Sequence, residues 1–398
     1  MKITDLRCAL IGTYPIVRIC TDAGISGYGG VENFKPYLKP FILYLRDLLI
    51  GEDPTNVERV MIKLRQRGAF KPYGAAVSVV EHALWDLAGK AAGLPVHKLL
   101  GGKVRDHVRC YNGSRRIKLK DSSPRAYADS MTWMKALPEG FSIVKQGIAF
   151  HAPMRRDVPD YYYGEKRDSA FHQWIDRGLM TERGLAHTVE CVAAMKEVLG
   201  DGIALALDCG PGWALPDAIR FARAVEKYNI IWCEDMLTGD YSTHAGADLY
   251  RELTVATSTP IHTGEQIYLR HNFKELIERK AVRVIGPDPC DVGGIAELKW
   301  ICEYADLHGV LMAPHGTGNG VLGLAALVQV CATLPDNFIA FEYPSGDTDW
   351  WYEIVEGLPK QIVRNSMIEV WDRPGMGVDL IPAKAKKYLK PGDEAFFD

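Results

Sequence analysis

The sequence predicts an α/β protein: a closed (β/α) barrel of the TIM type behind a smaller N-terminal α+β domain. Three observations predict it. The first hundred residues pass from two-residue alternation to helical spacing. From about residue 106, eight short apolar stretches alternate with amphipathic ones over roughly 250 residues, the usual length of one such barrel. Seven of those eight stretches finish on or beside an ionisable residue, at intervals close to one βα unit.

The elements follow in order. KITDLRCALIG alternates as a strand does, and IVRICTDAG and ISGYGGVEN, joined by Gly-rich turn chemistry, read as a hairpin. From about Pro54 to Lys98 the spacing is helical, with Val77, Val80, Leu84, Leu87 and Ala91 on one face and a break at Gly93–Pro95. The barrel strands are VRCYN, FSIVKQ, IALALD, IIWCED, PIHTGE, VRVIGPD, VLMAPH and FIAFEY, with helices such as GLAHTVECVAAMKEVLG between them. The chain therefore divides into an N-terminal capping domain over 1–105, a barrel over 106–357, and a segment 358–398 that returns to the first domain.

Composition excludes several classes of function. With 398 residues, 47% apolar and 24% charged, the chain has the make-up of an ordinary soluble protein. A net charge of −3 gives no basic footprint for nucleic acid and no polybasic segment for a membrane surface. No apolar run approaches a membrane span, and Met1 leads straight into a strand pattern with no leader-like stretch. Nine scattered cysteines without a CxxC pair suit reduced thiols in a cytoplasm.

The strand ends carry the chemistry. Asp208, Glu234, Glu265, Asp288, His315 and Glu342 end strands three to eight, spaced by 26, 31, 23, 27 and 27 residues, and Lys145 ends strand two. In a (β/α) barrel these ends meet at one mouth, where catalytic groups sit. Asp208, Glu234 and Glu265 fall on consecutive strands. Two like charges about 5 Å apart repel by roughly 3 kcal/mol at an effective dielectric near 20, so three require a cation or a shared proton. No basic residue neighbours these acids at their own strand ends, which argues against simple ion pairing across a barrel rim. A divalent cation with oxygen ligands answers the repulsion, and Mg²⁺ suits carboxylates that leave room for substrate. Asp235 is expected on the opposite face of its strand, and Asp291 in the turn before Gly293–Gly294. Asp288 and His315, on strands six and seven, form a carboxylate–imidazole pair suited to a general base.

The strand-end set, together with ALWDLAGKAAGLPVHKLLGGKVRDHVRCY (83–111), PDPCDVGG and RPGMGVDL, resembles the enolase superfamily in its mandelate racemase-like branch. The likeness spans nearly the whole chain. It implies a modified (β/α)7β barrel, Mg²⁺ held by Asp208, Glu234 and Glu265, an Asp288–His315 base, and Glu342 bonded to the enolised substrate carboxylate. The family's second strand often ends Lys-x-Lys or Lys-x-His, but here it reads VKQG, so Gly147 replaces the opposite base. Gly210 likewise stands where some acid-sugar dehydratases carry a histidine. A racemase needs bases on both faces, so β-elimination of water is expected, with Lys145 neutralising the substrate carboxylate or acting as a second acid/base. The stretch from APHGTGNG to AFEYP looks closest to gluconate and galactonate dehydratase-like members. The substrate implied is a small carboxylate, an aldonic or aldaric acid, with Tyr28 and GAFKPYGAA (68–76) of the first domain shaping its site, in a homo-oligomer.

A long connection, 147–178, carries Arg155, Arg156, Tyr161–Tyr163 and His172, and reads as either a site loop or a subunit arm. Three rival readings remain. GNGVLG (318–323), with Glu342 beyond it, fits a dinucleotide fingerprint, but only one strand follows, too few for a Rossmann half; its glycines are expected to let backbone approach the substrate. A racemase or epimerase is the alternative enzyme. A non-catalytic descendant would not keep the full acid set.

Overall fold

Alternating apolar and polar residues set the first sheet. β1 (Ile3–Ile11), β2 (Tyr14–Thr21) and β3 (Ser26–Gly30) form an antiparallel sheet with Ile11 opposite Tyr14 and Arg18 opposite Tyr28. In this computed structural model the described residues are 1–68, 71–149, 154–163, 179–210, 212–237, 246–344 and 350–398, without the side chains of 67–68, 71–73 and 155–156. The helix Lys71–Ala92 lies on the sheet at Gly27 and Gly29, where an added Cβ would overlap the carbonyls of Ala83 and Val79. Val77, Val80, Leu84 and Leu87 are wholly buried there. Ala91 is exposed, because the last helical turn runs past the sheet.

Each of the eight expected stretches contains a strand: β4 (His107–Tyr111), β5 (Ile143–Gly147), β6 (Ala204–Asp208), β7 (Trp232–Glu234), β8 (Ile261–Thr263), β9 (Val284–Ile285), β10 (Leu311–Met312) and β11 (Phe341–Glu342). β5 to β10 pair in parallel in chain order, and β11 pairs in parallel with β4. Single bridges, Asn112 to Val144 and Met312 to Phe338, join the two sets, so the eight strands make a ring. Helices follow the strands, from Pro124–Lys135 after β4 to Gly320–Cys331 after β10; the five-residue Trp350–Ile354 comes after β11. Inside the ring, Tyr111 and Trp232 meet edge to face with centroids 5.2 Å apart, and Ile143, Val284, Ala206, Ala313 and Ala340 pack around them. Large residues beside alanines plug a narrow barrel, so its mouth has a solid floor.

The final segment does not go straight to the first domain. β12 (Val355–Glu356) pairs with β14 (Asp379–Leu380), while β13 (Met367–Glu369) between them lies antiparallel to β4 of the barrel. Only then does the chain join the cap: Met376 N–H donates to Asp86 at 2.9 Å and Lys390 N–H to the Leu10 carbonyl at 2.9 Å. The helix Lys71–Ala92 also grips the barrel. Ser78 Oγ accepts from Gly293 N–H at 2.9 Å, Glu81 accepts from the N–H groups of Ile295 and Ala296 at 2.9 and 3.0 Å, and His82 Nε2 lies 3.0 Å from the Pro289 carbonyl. Glu81 thereby caps the helix Ile295–Leu307 from another domain. Eight of the nine cysteines are buried, all as free thiols. No helix among the described residues is long and apolar enough to cross a membrane.

Candidate active site

Ladder register brings the strand-end acids together. Gly147 pairs with Asp208, and Asp208 with Glu234, so the two carboxylates leave neighbouring strands at one level. Glu265 lies two residues past β8 and Asp288 three past β9, where the chain has left the sheet and can turn side chains inward. Carboxylate oxygens of Glu234, Asp235 and Glu265 lie within 4.8 Å of one another. The placement of Asp235 corrects the expected opposite face. Its φ of 48° takes the backbone out of the pleat, so strand alternation no longer applies; Thr263 Oγ1 donates to it at 2.5 Å. Asp208 borders the group and accepts from Gly210 N–H at 3.3 Å.

A cation of the chain stands among these acids, contrary to the expectation of no basic neighbour. The Lys145 ammonium is 2.7 Å from Glu234 Oε1, 3.4 Å from Glu342 Oε2 and 3.8 Å from Asp208 Oδ2. Its strand neighbours β6, and the four-carbon stem reaches over that strand to β7, which spacing along the chain cannot show. Burial alone would lower the Lys145 pKa; Glu234 and Glu342 outweigh it and hold it well above the ordinary lysine value. Gly113, just after β4, makes room: a Cβ there would overlap the Glu342 carboxylate and lie 3.0 Å from Lys145 Cε. Glu234 is fixed further by Trp232 Nε1, which donates at 3.1 Å, and by the buried His262, whose Nδ1 is 3.6 Å away and whose ring stacks on Trp232.

Asp288 and His315 are neighbours. His315 Nδ1 lies 2.6 Å from Asp288 Oδ2, while Nε2 faces Glu265 at 3.2 Å and Glu342 at 3.5 Å. Burial opposes protonation of His315, but Glu265, Glu342 and Asp288 together raise its pKa well above the ordinary value. Asp288 is wholly buried and satisfied by Cys290 N–H at 2.6 Å and by Asn319 Nδ2 at 3.0 and 3.1 Å. Its carboxylate is thus oriented from three sides.

Tyr28 is not brought to this group. Its ring lies beneath the Lys90 ammonium, 5.1 Å from the centroid, and its N–H is held by Asp86. Residues 69–70 of the GAFKPYGAA stretch and most of the 147–178 connection, His172 included, lie outside the described residues, as do the Arg155 and Arg156 side chains. Of its tyrosines, Tyr161 is buried against Thr188 and Tyr163 is exposed. Two cap residues that do reach the mouth are Glu32 and Lys35. Glu32 lies with Asp288 and His315, one ligand-type atom of each within 4.8 Å of the others, and Lys35 binds Asp291 at 2.6 and 2.7 Å. Asp291 is therefore more than a turn residue. Two of the GNGVLG glycines serve this same contact: a Cβ at Gly318 would lie 2.6 Å from the Phe34 ring, and one at Gly320 2.9 Å from Tyr14. Gly318 and Gly320 admit the cap, while a Cβ at Gly323 would meet Asn319 and Cys290 of the barrel.

A capped (β/α) barrel whose mouth joins a carboxylate cluster, a lysine and an imidazole–carboxylate pair defines a class of enzyme-like scaffolds. The comparisons give the family. The chain belongs to the mandelate racemase/muconate lactonizing enzyme family of the enolase superfamily: the family's N-terminal domain matches residues 9–101, and the enolase C-terminal domain-like region matches 139–384. It is 31% identical to D-xylonate dehydratase of Haloferax volcanii, over 99% of this chain and 90% of that protein. It is 27% identical to D-galactonate dehydratase of Ralstonia pickettii, over 96% and 92%. A crystal structure of a mandelate racemase/muconate lactonizing enzyme-like protein from Rubrobacter xylanophilus superposes with a TM-score of 0.84 at 29% identity, covering 98% of both chains.

Proposed function

We propose that this chain is a Mg²⁺-dependent dehydratase of an acid sugar, an aldonate or aldarate, yielding a 2-keto-3-deoxy acid. The observation that carries the reading is the direction of His315: Nδ1 is tied to Asp288 while Nε2 is turned into the carboxylate cluster. A base so placed reaches a proton α to a carboxylate bound at that cluster. The relatives with dehydratase names support the same chemistry.

The residues present fit a hard divalent cation. Glu234, Glu265 and Asp235 converge, and Lys145, whose ammonium is 2.7 Å from Glu234, sits on a flexible stem. Asp208, Glu234 and Glu265 would hold Mg²⁺, with Asp235 beside Glu234 and Glu265 and bonded to Thr263. When bound, the ion supplies positive charge where negative charge develops on the substrate carboxylate. His315 takes the α-proton at Nε2, and Asp288 fixes its tautomer and stabilises the imidazolium. The same imidazolium then returns a proton to the leaving β-hydroxyl. Lys145 and Glu342 orient the substrate carboxylate from the other side. Gly147 and Gly210 add no side-chain base beside Lys145, which favours elimination over racemisation.

A screen of aldonic and aldaric acids for keto-acid formation, run in D₂O, tests the reading. A dehydratase gives a 2-keto-3-deoxy acid carrying deuterium at C3. Substrate recovered with deuterium and both configurations, with no keto acid, would establish the racemase instead.

A further inference from the structure

The Asp288–His315 pair is roofed by a charged piece of the cap. Beyond β3 the chain passes through Glu32 and Lys35, which are 0% and 7% exposed. The Lys35 ammonium sits between carboxylates of two domains: it ion-pairs with Glu32 on its own segment and with both oxygens of Asp291, at 2.6 and 2.7 Å, on the loop that carries Asp288. Backbone contacts seat the segment on the same loops. Asn33 N–H donates to the Gly318 carbonyl at 3.1 Å, and Cys290 Sγ donates to the Gly30 carbonyl at 3.5 Å.

Asp288 and Glu32 are wholly buried, Asp291 nearby keeps only partial exposure, and Glu32 lies close to both members of the pair. Without a cation they repel; the loop 288–291 has no sheet bonds beyond β9, is held at Pro289 by His82 and at Cys290 by the Gly30 carbonyl, and has Lys35 as the counter-charge at Asp291. Displacing that loop changes the 2.6 Å contact between Asp288 and His315. Burial would strip Lys35 of its proton, but Asp291 and Glu32 hold its pKa well above the ordinary value, so the cation persists.

We propose that Lys35 is a positioning residue: by bridging Glu32 of the cap and Asp291 of the barrel, it fixes the loop 288–291 and keeps Asp288 aligned on His315 only while the cap is seated. The effect on turnover rests on the reading of His315 as the base; the effect on geometry does not.

The test uses the full-length, Mg²⁺-loaded protein and a readout independent of substrate, the downfield proton resonance of His315 Nδ1–H, assigned by its absence in His315→Asn. Lys35→Met and Asp291→Asn should shift or abolish that signal and lower kcat by about 10–100-fold with KM changed less than about threefold. Lys35→Arg should restore the signal and most of kcat. An unchanged signal in folded Lys35→Met and Asp291→Asn overturns the proposal, as does a Lys35→Arg variant as impaired as Lys35→Met. If Lys35→Met does not fold, Asp291→Asn, which removes the same bridge from the barrel side, decides alone. If the wild type turns over no acid sugar, the assigned function fails, while the resonance still supports or overturns the coupling.

Discussion

His315 and Lys145 both reach Glu342 Oε2, at 3.5 and 3.4 Å, but His315 otherwise faces Glu265 and Lys145 faces Glu234. Their substitutions should therefore separate two roles. His315→Asn should fold, bind Mg²⁺ and lose turnover by roughly 10²–10⁴-fold, the usual loss on removing a general acid–base group. Lys145→Met should bind substrate poorly yet still exchange the α-proton with D₂O. The reverse pattern would make Lys145 the base. Lys145→Met has a second expected effect, because it leaves Glu234 and Glu342 buried without their ammonium. Without metal it should lose about 3–5 kcal/mol in a urea titration, as broken buried ion pairs do, and Mg²⁺ should recover more stability in it than in the wild type. Chelation should abolish turnover, and Glu265→Gln should weaken Mg²⁺ binding about tenfold or more by calorimetry, since one holding charge is lost. Full turnover in excess chelator would refute the metal assignment.

Among the elements, the helix Lys71–Ala92 joins cap to barrel through neutral as well as charged groups. His82 is wholly buried, with Nε2 on the Pro289 carbonyl, and no partner for Nδ1 among the described residues. Burial pushes its pKa down from 6.5 to about 4. The unfolded chain therefore binds this proton more readily, and stability present above pH 6.5 is lost as pH falls toward 4. Between pH 7.5 and 5 the wild type should lose about 2 kcal/mol that a His82→Gln variant keeps, read as the difference in their urea midpoints. Equal pH dependence would contradict the buried neutral imidazole. This grip was not legible beforehand, whereas the eight barrel strands were. Strand ends such as Asp208 and Glu234 announce themselves through local apolar runs and repeated spacing. The contacts of Glu81 with Ile295, or Lys35 with Asp291, join residues more than two hundred positions apart. Nothing in local periodicity encodes them, and the reach of the Lys145 stem over β6 is hidden for the same reason. The misplacement of Asp235 is different in kind: one backbone dihedral of 48° defeats a period-two rule that holds for the rest of its strand.

At the scale of the whole molecule, one core lies between the cap sheet and the helix Lys71–Ala92, a second runs from Ala9, Ile11, Tyr14 and Ile16 of that sheet into the shell of the barrel, and a third fills the barrel's centre. The buried thiols turn that arrangement into a clock. Cys209, Cys233 and Cys290 stand within two residues of Asp208, Glu234 and Asp288, and all three are inaccessible in the folded chain. The thiolate attacks the reagent, so a shielded cysteine is modified only during an opening. The native protein should react rapidly at about one position, the half-exposed Cys20, and at all nine in denaturant. Peptide mapping of the slow phase then times the parting of cap and barrel: if Cys290, which bonds to Gly30 across the seam, reacts before Cys209 and Cys233, the cap lifts while the barrel stays closed. Simultaneous labelling of all three would mean that the two domains breathe as one.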